Sequence, residues 1–351
     1  MTGTPRGPII HLVGSVPLDS TEAVFRRLSA ELGPHLERLV DGETGRRASW
    51  VGFIQRVLRE HPAIEEDTSR PPFRFVQWDG KLIREWPYLK LKDGIDPSTV
   101  AFETGYAEDA INSFAIFERL RDEGVIAPEV KYQACAGTPL AIAYLYISPE
   151  ARKPFTTAYT RHMIAEVGRI AAAIPHDRLS YQWDVAPEVL MWEGYFERPA
   201  DYKEEILASL GEIGDAVPAT IELGYHLCYG SPADQHLVQP RDLAILVEIA
   251  NGIARRVSRP IHYIHMPVPS ERSDDAYFRP LDDLRLAPGT ALYLGCVHRG
   301  DDAGNAEKLA RARVHAAVAG VGSECGWGRG DPANLEPILA AHKALVRSAG
   351  R

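Results

Sequence analysis

The sequence lacks several features that would each define a class of protein. Its 351 residues include only four cysteines, too few and too scattered for a disulfide scaffold in a chain of this length. It also lacks an excess of positive charge, because 39 Lys and Arg stand against 48 Asp and Glu. We therefore expect reduced thiols and no nucleic-acid partner, since binding phosphates through broad electrostatics needs a basic surface.

Long apolar runs are absent as well. No run approaches the roughly 18–20 residues of a membrane-spanning helix, and the first residues, MTGTPRGPIIHLVG, lack the charged and then apolar layout of a signal peptide. We therefore expect a cytoplasmic protein without a membrane partner. The 45% of apolar and 25% of charged residues are typical of a globular protein, which argues against disorder and against a coiled coil.

Short apolar runs alternate with amphipathic stretches, the pattern of βα units around a parallel sheet. Eight strands are predicted, at residues 9–14, 37–42, 130–136, 179–185, 220–226, 261–266, 291–297 and 321–325. Helices are predicted among them at 21–32, 154–174, 242–257, 306–320 and 334–348. Eight such units in one chain predict an α/β fold of the closed (β/α)8 type, a TIM barrel.

One long excursion interrupts this alternation. Residues 46–129 carry a predicted helix in RRASWVGFIQRVLREH and a predicted hairpin in FRFVQWDGKLIREWPYLKLKDG, with its turn at Asp79-Gly80. We interpret the segment as an insertion after the second strand. No linker, low-complexity tract or solenoid repeat divides the chain, so residues 1–351 are predicted to form a single domain.

Polar and sulfur-containing side chains are dense where the predicted strands end, which is the active-site face of this fold. They are Ser15, Asp41, Glu43, Cys135, Asp184, His226, Cys228, His265, Cys296, His298, Glu324 and Cys325. A strand end that only had to pack would not need them. These positions are therefore the candidates for chemistry.

Three of these side chains have positions that suit a metal ion. His226 and Cys228 are two residues apart, so in an extended segment they face the same side. Cys325 follows the eighth predicted strand, beside a glycine that lets the backbone turn. Together they would form a nitrogen and sulfur set that suits Zn²⁺ and leaves a fourth position open. The alternative for the His-x-Cys pair is a buried cysteine beside a hydrogen-bonded histidine.

These motifs together resemble the cobalamin-independent methionine synthase family, in its C-terminal catalytic barrel and its short archaeal-type members. The likeness runs in order through nearly the whole chain. The similar segments are Val13-Gly14-Ser15-Val16-Pro17 for Gly-Ser-Phe-Pro, Asp41-Gly42-Glu43 with Arg46 for Gly-Glu-x-x-Arg, Gln182-x-Asp184 for Gln-x-Asp, His226-Leu227-Cys228-Tyr229 for His-x-Cys-Tyr, Val297-His298 for Ile-His, and Glu324-Cys325-Gly326 for Asp-Cys-Gly.

The resemblance implies a role for each matching residue. The implied roles are zinc binding for His226, Cys228 and Cys325, contact with the substrate carboxylate for Ser15, binding of an amino-acid ammonium group for Glu43 and Asp184, and proton handling for His298, which is the predicted catalytic residue. Tyr229 and Trp327 flank the proposed metal and are interpreted as walls of the substrate pocket.

The sequence departs from the family at two positions that concern the site. The family's fourth zinc ligand is a glutamate at the end of the sixth strand, where this chain has His265 or Met266, and we predict His265 as the fourth ligand. The tryptophan that stacks on the folate ring corresponds to Tyr144. The resemblance thus gives little support to folate as the methyl donor, and the short members resemble enzymes that take methyl groups from a corrinoid.

The predicted activity is zinc-dependent transfer of an alkyl group, methyl in the first place, to a small-molecule thiol such as homocysteine. A free thiol has a pKa of about 8.5 and is a poor nucleophile near pH 7, and a metal ion removes its proton. Three alternatives stay open. They are an enzyme that resembles epoxyalkane:coenzyme M transferases, a metal-free lyase that resembles uroporphyrinogen decarboxylase, and a binding or scaffold protein with a degenerate site.

Overall fold

Strands and helices alternate from one end of the chain to the other. The computed structural model describes residues 8–232 and 235–349. The first half of the segment MTGTPRGPIIHLVG, on which the expectation of no signal peptide rests, therefore lies outside the described residues. Over the described part the chain forms, in order, β1 (Ile9–Ile10), α1 (Thr21–Leu32), β2 (Arg38–Val40), α2 (Gly52–Glu60), β3 (Ile64–Glu66), β4 (Phe73–Val76), β5 (Leu82–Trp86), β6 (Leu89–Leu91), α3 (Tyr106–Asp122), β7 (Lys131–Gly137), α4 (Pro139–Tyr146), α5 (Arg152–Ala173), β8 (Leu179–Val185), α6 (Pro187–Glu193), α7 (Tyr202–Asp215), β9 (Glu222–Leu227), α8 (Ala244–Arg256), β10 (Tyr263–Pro267), α9 (Asp275–Phe278), β11 (Ala291–Gly295), α10 (Asp302–His315), β12 (Val318–Val321) and α11 (Leu335–Ala349).

Eight of the strands form one parallel sheet, in the order β1-β12-β11-β10-β9-β8-β7-β2. Most neighbours in the sheet are also successive strands of the chain joined through a helix, which makes the sheet curl. A parallel bridge between Ser15 and Gly42, just beyond β1 and β2, brings the two edges of the sheet together. The predicted α/β fold with eight parallel strands is confirmed, and the curled sheet is consistent with a TIM barrel.

The register of three neighbouring strands puts three functional candidates at one level. Asp184 on β8 lies opposite His226 on β9, and His226 lies opposite His265 on β10. All three side chains are buried. The carboxyl ends of parallel strands meet at the same edge, so an acid and two imidazoles lie side by side there.

The interior of the sheet is partly polar, and this fixes Asp184. Gln182 lies two residues earlier on the same face of β8 and donates from Nε2 to Oδ1 of Asp184 at 2.8 Å. The same Nε2 donates to the carbonyl of Val13 at 2.7 Å, and Oε1 of Gln182 is 3.0 Å from Nε2 of His11. The amide thereby ties Asp184 to the segment around β1.

The eighth strand begins earlier than the sequence predicted. The prediction placed it at 321–325 and ran the preceding helix to residue 320, whereas α10 ends at His315 and β12 is Val318–Val321. The ring of His315 bonds Asp275 and Asp282, which fixes the end of α10, and the following residues pair with β11. Glu324 and Cys325 therefore lie in the loop after the strand.

The segment between β2 and β7 contains a small antiparallel hairpin. Strands β4 and β5 pair around the turn at Asp79-Gly80, where Lys81 donates its backbone N–H to Oδ1 of Asp79 and Gly80 has a φ of +84°. A second antiparallel pair joins β3 to β6, and α2 begins at Gly52 rather than Arg46. Helix α3 packs against α1 and α5, in the helical layer outside the sheet.

Amphipathic spacing explains why the first helix was predicted with its observed bounds. Val24, Phe25, Leu28 and Leu32 lie on one face of α1 and are buried, and the side chain of Ser20 caps the first turn. Among the described residues, no helix is long and apolar enough to cross a membrane. The single domain over residues 1–351 and the status of 46–129 as an insertion remain predictions.

Candidate metal centre and adjoining cavities

His226, Cys228 and Cys325 come together at the carboxyl ends of β9 and β12. One nitrogen of the histidine and the two sulfur atoms all lie within 4.8 Å of one another, and the two Sγ atoms are 3.6 Å apart. A tetrahedral zinc ion with bonds of about 2.3 Å to sulfur holds two thiolates about 3.8 Å apart. The three side chains therefore fit Zn²⁺ in both chemistry and spacing.

The orientation of His226 also suits a metal ligand. Its Nε2 is buried without a hydrogen-bond partner among the described residues, whereas its Nδ1 is 2.8 Å from Nδ1 of His265. If Nδ1 of His226 donates in this pair, its Nε2 keeps a free lone pair for a metal. The predicted fourth ligand, His265, is thus not brought into the group, because the register sets it beside His226 as a hydrogen-bond partner.

The two thiols differ in protonation. The hydrogen bond from Cys228, together with the charge of Arg329, holds the pKa of Cys325 well below its usual value. Nη2 of Arg329 donates to Sγ of Cys325 at 2.9 Å. That same sulfur contact, with burial, raises the pKa of Cys228. Without a metal, the Cys228 thiol donates a hydrogen bond to Sγ of Cys325, which is the more easily ionised of the two.

Two buried carboxylates, those of Glu43 and Asp184, line the same cavity as the three metal-binding candidates. Burial raises the pKa of Glu43 to about 7, and the charges of Arg47 and Arg329 offset it only in part. Burial and the charge of Glu43 raise the pKa of Asp184 well above its usual value. A cation near both groups would lower both pKa values, because an opposite charge stabilises the ionised carboxylate. The pair is therefore suited to a positively charged ligand.

The backbone is strained at two positions beside this pair. In the described chain, Glu43 (φ +50°) and Trp50 (φ +57°) are the non-glycine residues with positive φ, a conformation that costs on the order of 1–3 kcal/mol at each. Both line the cavity. Nε1 of Trp50 donates to Oδ2 of Asp184 at 3.0 Å. The strained backbone thus presents one member of the pair and a donor to the other.

Asp41 stabilises the strained turn and does not line the cavity. Its Oδ1 accepts the backbone N–H of Glu43 at 3.0 Å, and its Oδ2 accepts bonds from Arg47 and, at 2.9 Å, from Ser113. Burial alone would raise the pKa of Asp41, but Arg47 and these hydrogen bonds lower it. Asp41 is therefore an ionised structural group that positions Glu43.

Ser15 holds the loop that carries Cys325. Its carbonyl accepts the backbone N–H groups of Trp327 at 2.7 Å and Gly328 at 3.2 Å. A Cβ at Gly326 would lie 2.4 Å from Oγ of Ser15, and one at Gly328 would lie 2.8 Å from its Cβ. Glycine permits this close approach. Ser15 also lines the cavity, beside the carboxylate pair.

One cavity, of about 270 Å³, joins the metal-binding candidates to the carboxylate pair, and we call it the carboxylate cavity. These groups contribute one part of its lining. Apolar side chains contribute another part, among them Trp50, Phe75, Ile83, Trp86, Leu145 and Leu190. The lining therefore combines charged and apolar groups, and Trp50 belongs to both because its Nε1 contacts Asp184.

A second cavity, of about 330 Å³, lies on the other side of Cys228 and Cys325, which line both cavities. We call it the histidine cavity, because Nδ1 of His236 and Nδ1 of His298 lie 3.5 and 3.7 Å from the Glu324 carboxylate. The structure places the predicted catalytic residue, His298, in this cavity, where its Nε2 is 2.9 Å from the carbonyl of Val268.

The predicted pocket walls, Tyr229 and Trp327, also line the histidine cavity. Tyr229 is fully buried, and Nε1 of Trp327 donates to Oγ of Ser323 at 2.8 Å. Tyr144, the counterpart of the folate-stacking tryptophan, is buried on α4 with the Arg152 guanidinium 4.6 Å from its ring centre. It is not among the residues that line the two cavities.

Three features of the site were not predicted from the sequence: the apolar wall, the bond of Trp50 to Asp184 and the contact of Arg329 with Cys325. The apolar wall comes largely from the hairpin, and no spacing along the chain shows where a hairpin docks. Trp50 likewise carries no pattern that predicts its bond to Asp184. Arg329 had a signal in the glycines of Gly326-Trp327-Gly328, which let the chain turn back so that the guanidinium reaches Cys325.

Comparison with known proteins shows the fold. No protein-family model and no curated protein matches this sequence. Similar solved structures are a B12-independent methionine synthase from Shewanella sp. W3-18-1 in complex with selenomethionine (TM-score 0.67, 12% identity, 97% of each chain), a putative vitamin-B12-independent methionine synthase from Listeria monocytogenes (0.58, 13%, 98% of this chain and 97% of that chain), and a methyltransferase from Methanosarcina mazei (0.53, 10%, 99% and 94%). The resemblance predicted from the motifs is confirmed as a shared fold over nearly the whole chain.

Proposed function

We propose that this protein is a zinc-dependent transferase that alkylates the thiol of a small amino acid such as homocysteine, with methyl as the first alkyl group to test. The observation that carries the proposal is the carboxylate cavity, in which a nitrogen and two sulfur ligands adjoin two buried carboxylates. The fold shared with methionine synthases and a methyltransferase supports it. The Shewanella protein binds selenomethionine, an amino acid with a methylated chalcogen.

His226, Cys228 and Cys325 would hold the zinc ion and leave one tetrahedral position for the substrate. Bound there, zinc supplies the positive charge that keeps a substrate thiol deprotonated near pH 7. His265 fixes the ring of His226 through the bond between their Nδ1 atoms. Arg329 donates to Cys325 and so helps keep that sulfur ionised.

Glu43 and Asp184 would bind the ammonium group of the amino acid. Both are buried, and burial raises the pKa of each, an effect that Arg47 and Arg329 offset only in part at Glu43. Trp50 and Gln182 each donate to Asp184, so the carboxylate is fixed before the ligand arrives. Holding the amine in this way orients the thiol toward the alkyl donor, which is the positioning part of a rate gain.

His298 would handle a proton from the side of the histidine cavity. Burial lowers its pKa, which leaves the ring neutral near pH 7 and able to accept a proton. Glu324 lies 3.7 Å from its Nδ1 and would stabilise the protonated ring. We propose that the donor is a small molecule or a corrinoid rather than folate, and that the protein acts in the cytoplasm.

The alternatives fit the carboxylate cavity less well. Coenzyme M carries a sulfonate and no amine, and two buried carboxylates would repel it. A lyase of the uroporphyrinogen decarboxylase kind needs arginines for several propionates, yet Arg329 is already bonded to Cys325 and to the carbonyl of Ser231. A scaffold protein would have no use for strained backbone at Glu43 and Trp50.

Elemental analysis tests the metal. We expect about one zinc ion per chain, as in other single catalytic sites, and its loss in both Cys228→Ser and Cys325→Ser. Cys296→Ser is the matched control, because this buried cysteine lies outside the group. Absence of zinc from wild-type protein that has been reconstituted with the metal would contradict the proposal.

Calorimetry tests the substrate class. Zinc-loaded protein should bind L-homocysteine, and Glu43→Gln should weaken that binding. The comparison ligand is 2-mercaptoethanesulfonate, which has the thiol but not the amine. Equal or tighter binding of the sulfonate would favour the coenzyme M alternative.

A further inference from the structure

The apolar lining of the carboxylate cavity is not explained by an amino-acid thiol. In the proposed function, the amine and the sulfur contact Glu43, Asp184 and the two cysteines. The lining also includes Phe75, Ile83, Trp86, Leu145, Leu190 and Leu237. Homocysteine or methionine has no group to cover this apolar surface, so the substrate must have a further part, or the space beside it holds only water.

The hairpin part of this wall is firmly anchored. Nε1 of Trp86 donates to the carbonyl of Leu145 at 2.6 Å. The hydroxyl of Tyr195 bonds both the N–H and the carbonyl of Val76, each at 2.9 Å. Nε2 of Gln77 donates to the carbonyl of His236 at 3.1 Å. With bonds to three different segments, the hairpin gives the cavity its shape before a ligand binds.

The chemistry of the wall selects against charge. Phe75, Ile83 and Trp86 present apolar surface, and the charged hairpin residue that lines the cavity, Arg84, is exposed to solvent. A charged substituent placed against this wall would lose its water without gaining a buried partner. An apolar substituent would gain by leaving water. At about 270 Å³ for the whole cavity, the substituent must also be compact.

We propose that the carboxylate cavity binds S-substituted amino acids whose substituent on sulfur is apolar and larger than methyl, such as a benzyl or branched alkyl group. The inference rests on the proposed function for the amine and sulfur ends. The inference adds the chemical class of the substituent on the sulfur. The hairpin residues that line the cavity would select that substituent.

Three thioether ligands test this by calorimetry on zinc-loaded protein. They are L-methionine, S-benzyl-L-homocysteine and S-(2-carbamoylethyl)-L-homocysteine, which share the amine and differ on the sulfur. We expect the benzyl compound to bind at least about tenfold more tightly than methionine, since each buried methylene contributes about fourfold. The carbamoylethyl compound, whose polar amide forms no ion pair with Arg84, should bind more weakly than the benzyl compound.

A matched pair of hairpin variants assigns the preference to the wall. Ile83→Ala removes part of the wall and should reduce the ratio of benzyl to methionine affinity about fourfold or more. Trp78→Ala changes a residue of the same hairpin that is 56% exposed and does not line the cavity, and it should leave the ratio unchanged. If Ile83→Ala does not fold, the affinities of the three ligands for the wild-type protein still test the inference.

The results separate the two proposals. Methionine binding without tighter binding of the benzyl compound would overturn the inference and leave the proposed function standing. Tighter benzyl binding with an unchanged ratio in Ile83→Ala would also overturn it, because the hairpin would not be the selecting wall. Failure of all three ligands to bind zinc-loaded protein would overturn the proposed function and the inference together, because the amine and sulfur that the ligands share would not be recognised.

Discussion

The two cavities on either side of Cys228 and Cys325 balance their charges in different ways. In the histidine cavity, the carboxylate of Glu324 is flanked by two imidazoles. Burial alone would lower the pKa of His236, but Glu324 and Glu271 raise it above its usual value. In the carboxylate cavity, burial raises the pKa of both Glu43 and Asp184, and the charge of Glu43 raises the pKa of Asp184 further. In the histidine cavity, imidazole groups of the protein itself offset the charge of Glu324. In the carboxylate cavity, Glu43 and Asp184 would be offset by a positively charged ligand.

The arginines near the carboxylate cavity do not remove this difference. Arg47 is bonded to Asp41, and Arg329 is bonded to Cys325. Each offsets the burial of Glu43 only in part. The comparison therefore predicts that recognition of a charged substrate belongs to one cavity and proton handling to the other.

Removing the charge of either carboxylate in the carboxylate cavity should have the largest effect on ligand binding. Glu43→Gln and Asp184→Asn should each weaken binding of L-methionine about 100-fold, because a hydrogen bond to a charged group contributes about 1.5–3 kcal/mol. Glu324→Gln, in the histidine cavity, should change it less than about threefold. Calorimetry on zinc-loaded protein measures all three. Equal losses at Glu43 and Glu324 would show that the cavities do not differ as described.

The second-largest effect concerns the zinc ion that we propose between the two cavities. His265→Leu should weaken zinc binding about 10- to 100-fold, as loss of a ligand's hydrogen-bond partner does elsewhere. His265→Asn keeps an oxygen that can accept from Nδ1 of His226, and it should restore most of the affinity. Competition with a chromophoric chelator gives the affinities. Similar affinity in His265→Leu and wild type would mean that His226 needs no support.

Binding of an ammonium ligand in the carboxylate cavity should depend on pH through the ionisation of Glu43. Since the pKa of Glu43 is about 7 in the free cavity, the pair loses charge as the pH falls through 7. Binding of an ammonium ligand should thus weaken about tenfold per pH unit below 7 for one linked proton. Glu43→Gln should show a flatter profile. Calorimetry between pH 6 and pH 8 would check this, and stronger binding at pH 6 would contradict it.

The same carboxylate should make the metal-free protein less stable as the pH rises. The pKa of Glu43 is raised to about 7 from an ordinary value of 4.5, so between these values the folded protein binds more protons than the unfolded chain. The free energy of unfolding then falls with increasing pH across that window, by roughly 3 kcal/mol in all. Urea unfolding at pH 5 and pH 8 should show this loss in wild type and a smaller one in Glu43→Gln.

The smallest effect tests the fixed orientation of Asp184. Trp50→Phe keeps an aromatic wall but removes the Nε1 donor that lies 3.0 Å from Oδ2 of Asp184. Loss of one such bond should weaken binding of L-methionine about fivefold. Trp78→Phe, on the exposed turn of the hairpin, provides the control. An unchanged affinity in Trp50→Phe would mean that Gln182 alone orients the carboxylate.

Local pattern was enough to predict much of the fold. Strand β8 and helix α1 have the predicted bounds, because an apolar run and a capped amphipathic stretch are each complete within a few residues. The grouping of His226 and Cys228 follows from their spacing of two on one strand. The start of β12 was missed, since no turn residue separates its first valine from the end of α10.

What could not be predicted depends on contacts between distant segments. The side-by-side placement of His226 and His265 follows from the register between β9 and β10, which neither strand encodes alone. The docking of the hairpin depends on Tyr195 and Leu145, far along the chain. The sequence could therefore predict the charged lining of the carboxylate cavity but not its apolar lining.

The contact between Ser15 and the loop that carries Cys325 has a consequence for protein synthesis. Ser15 leaves the ribosome long before Cys325, yet the loop that carries Cys325, the third proposed metal ligand, rests on Ser15. A growing chain folds from its N-terminus and cannot complete the proposed ligand group before Cys325 emerges. Metal loading at this proposed centre would therefore follow the emergence of Cys325, and a translation product that stops before Cys325 would lack the third ligand.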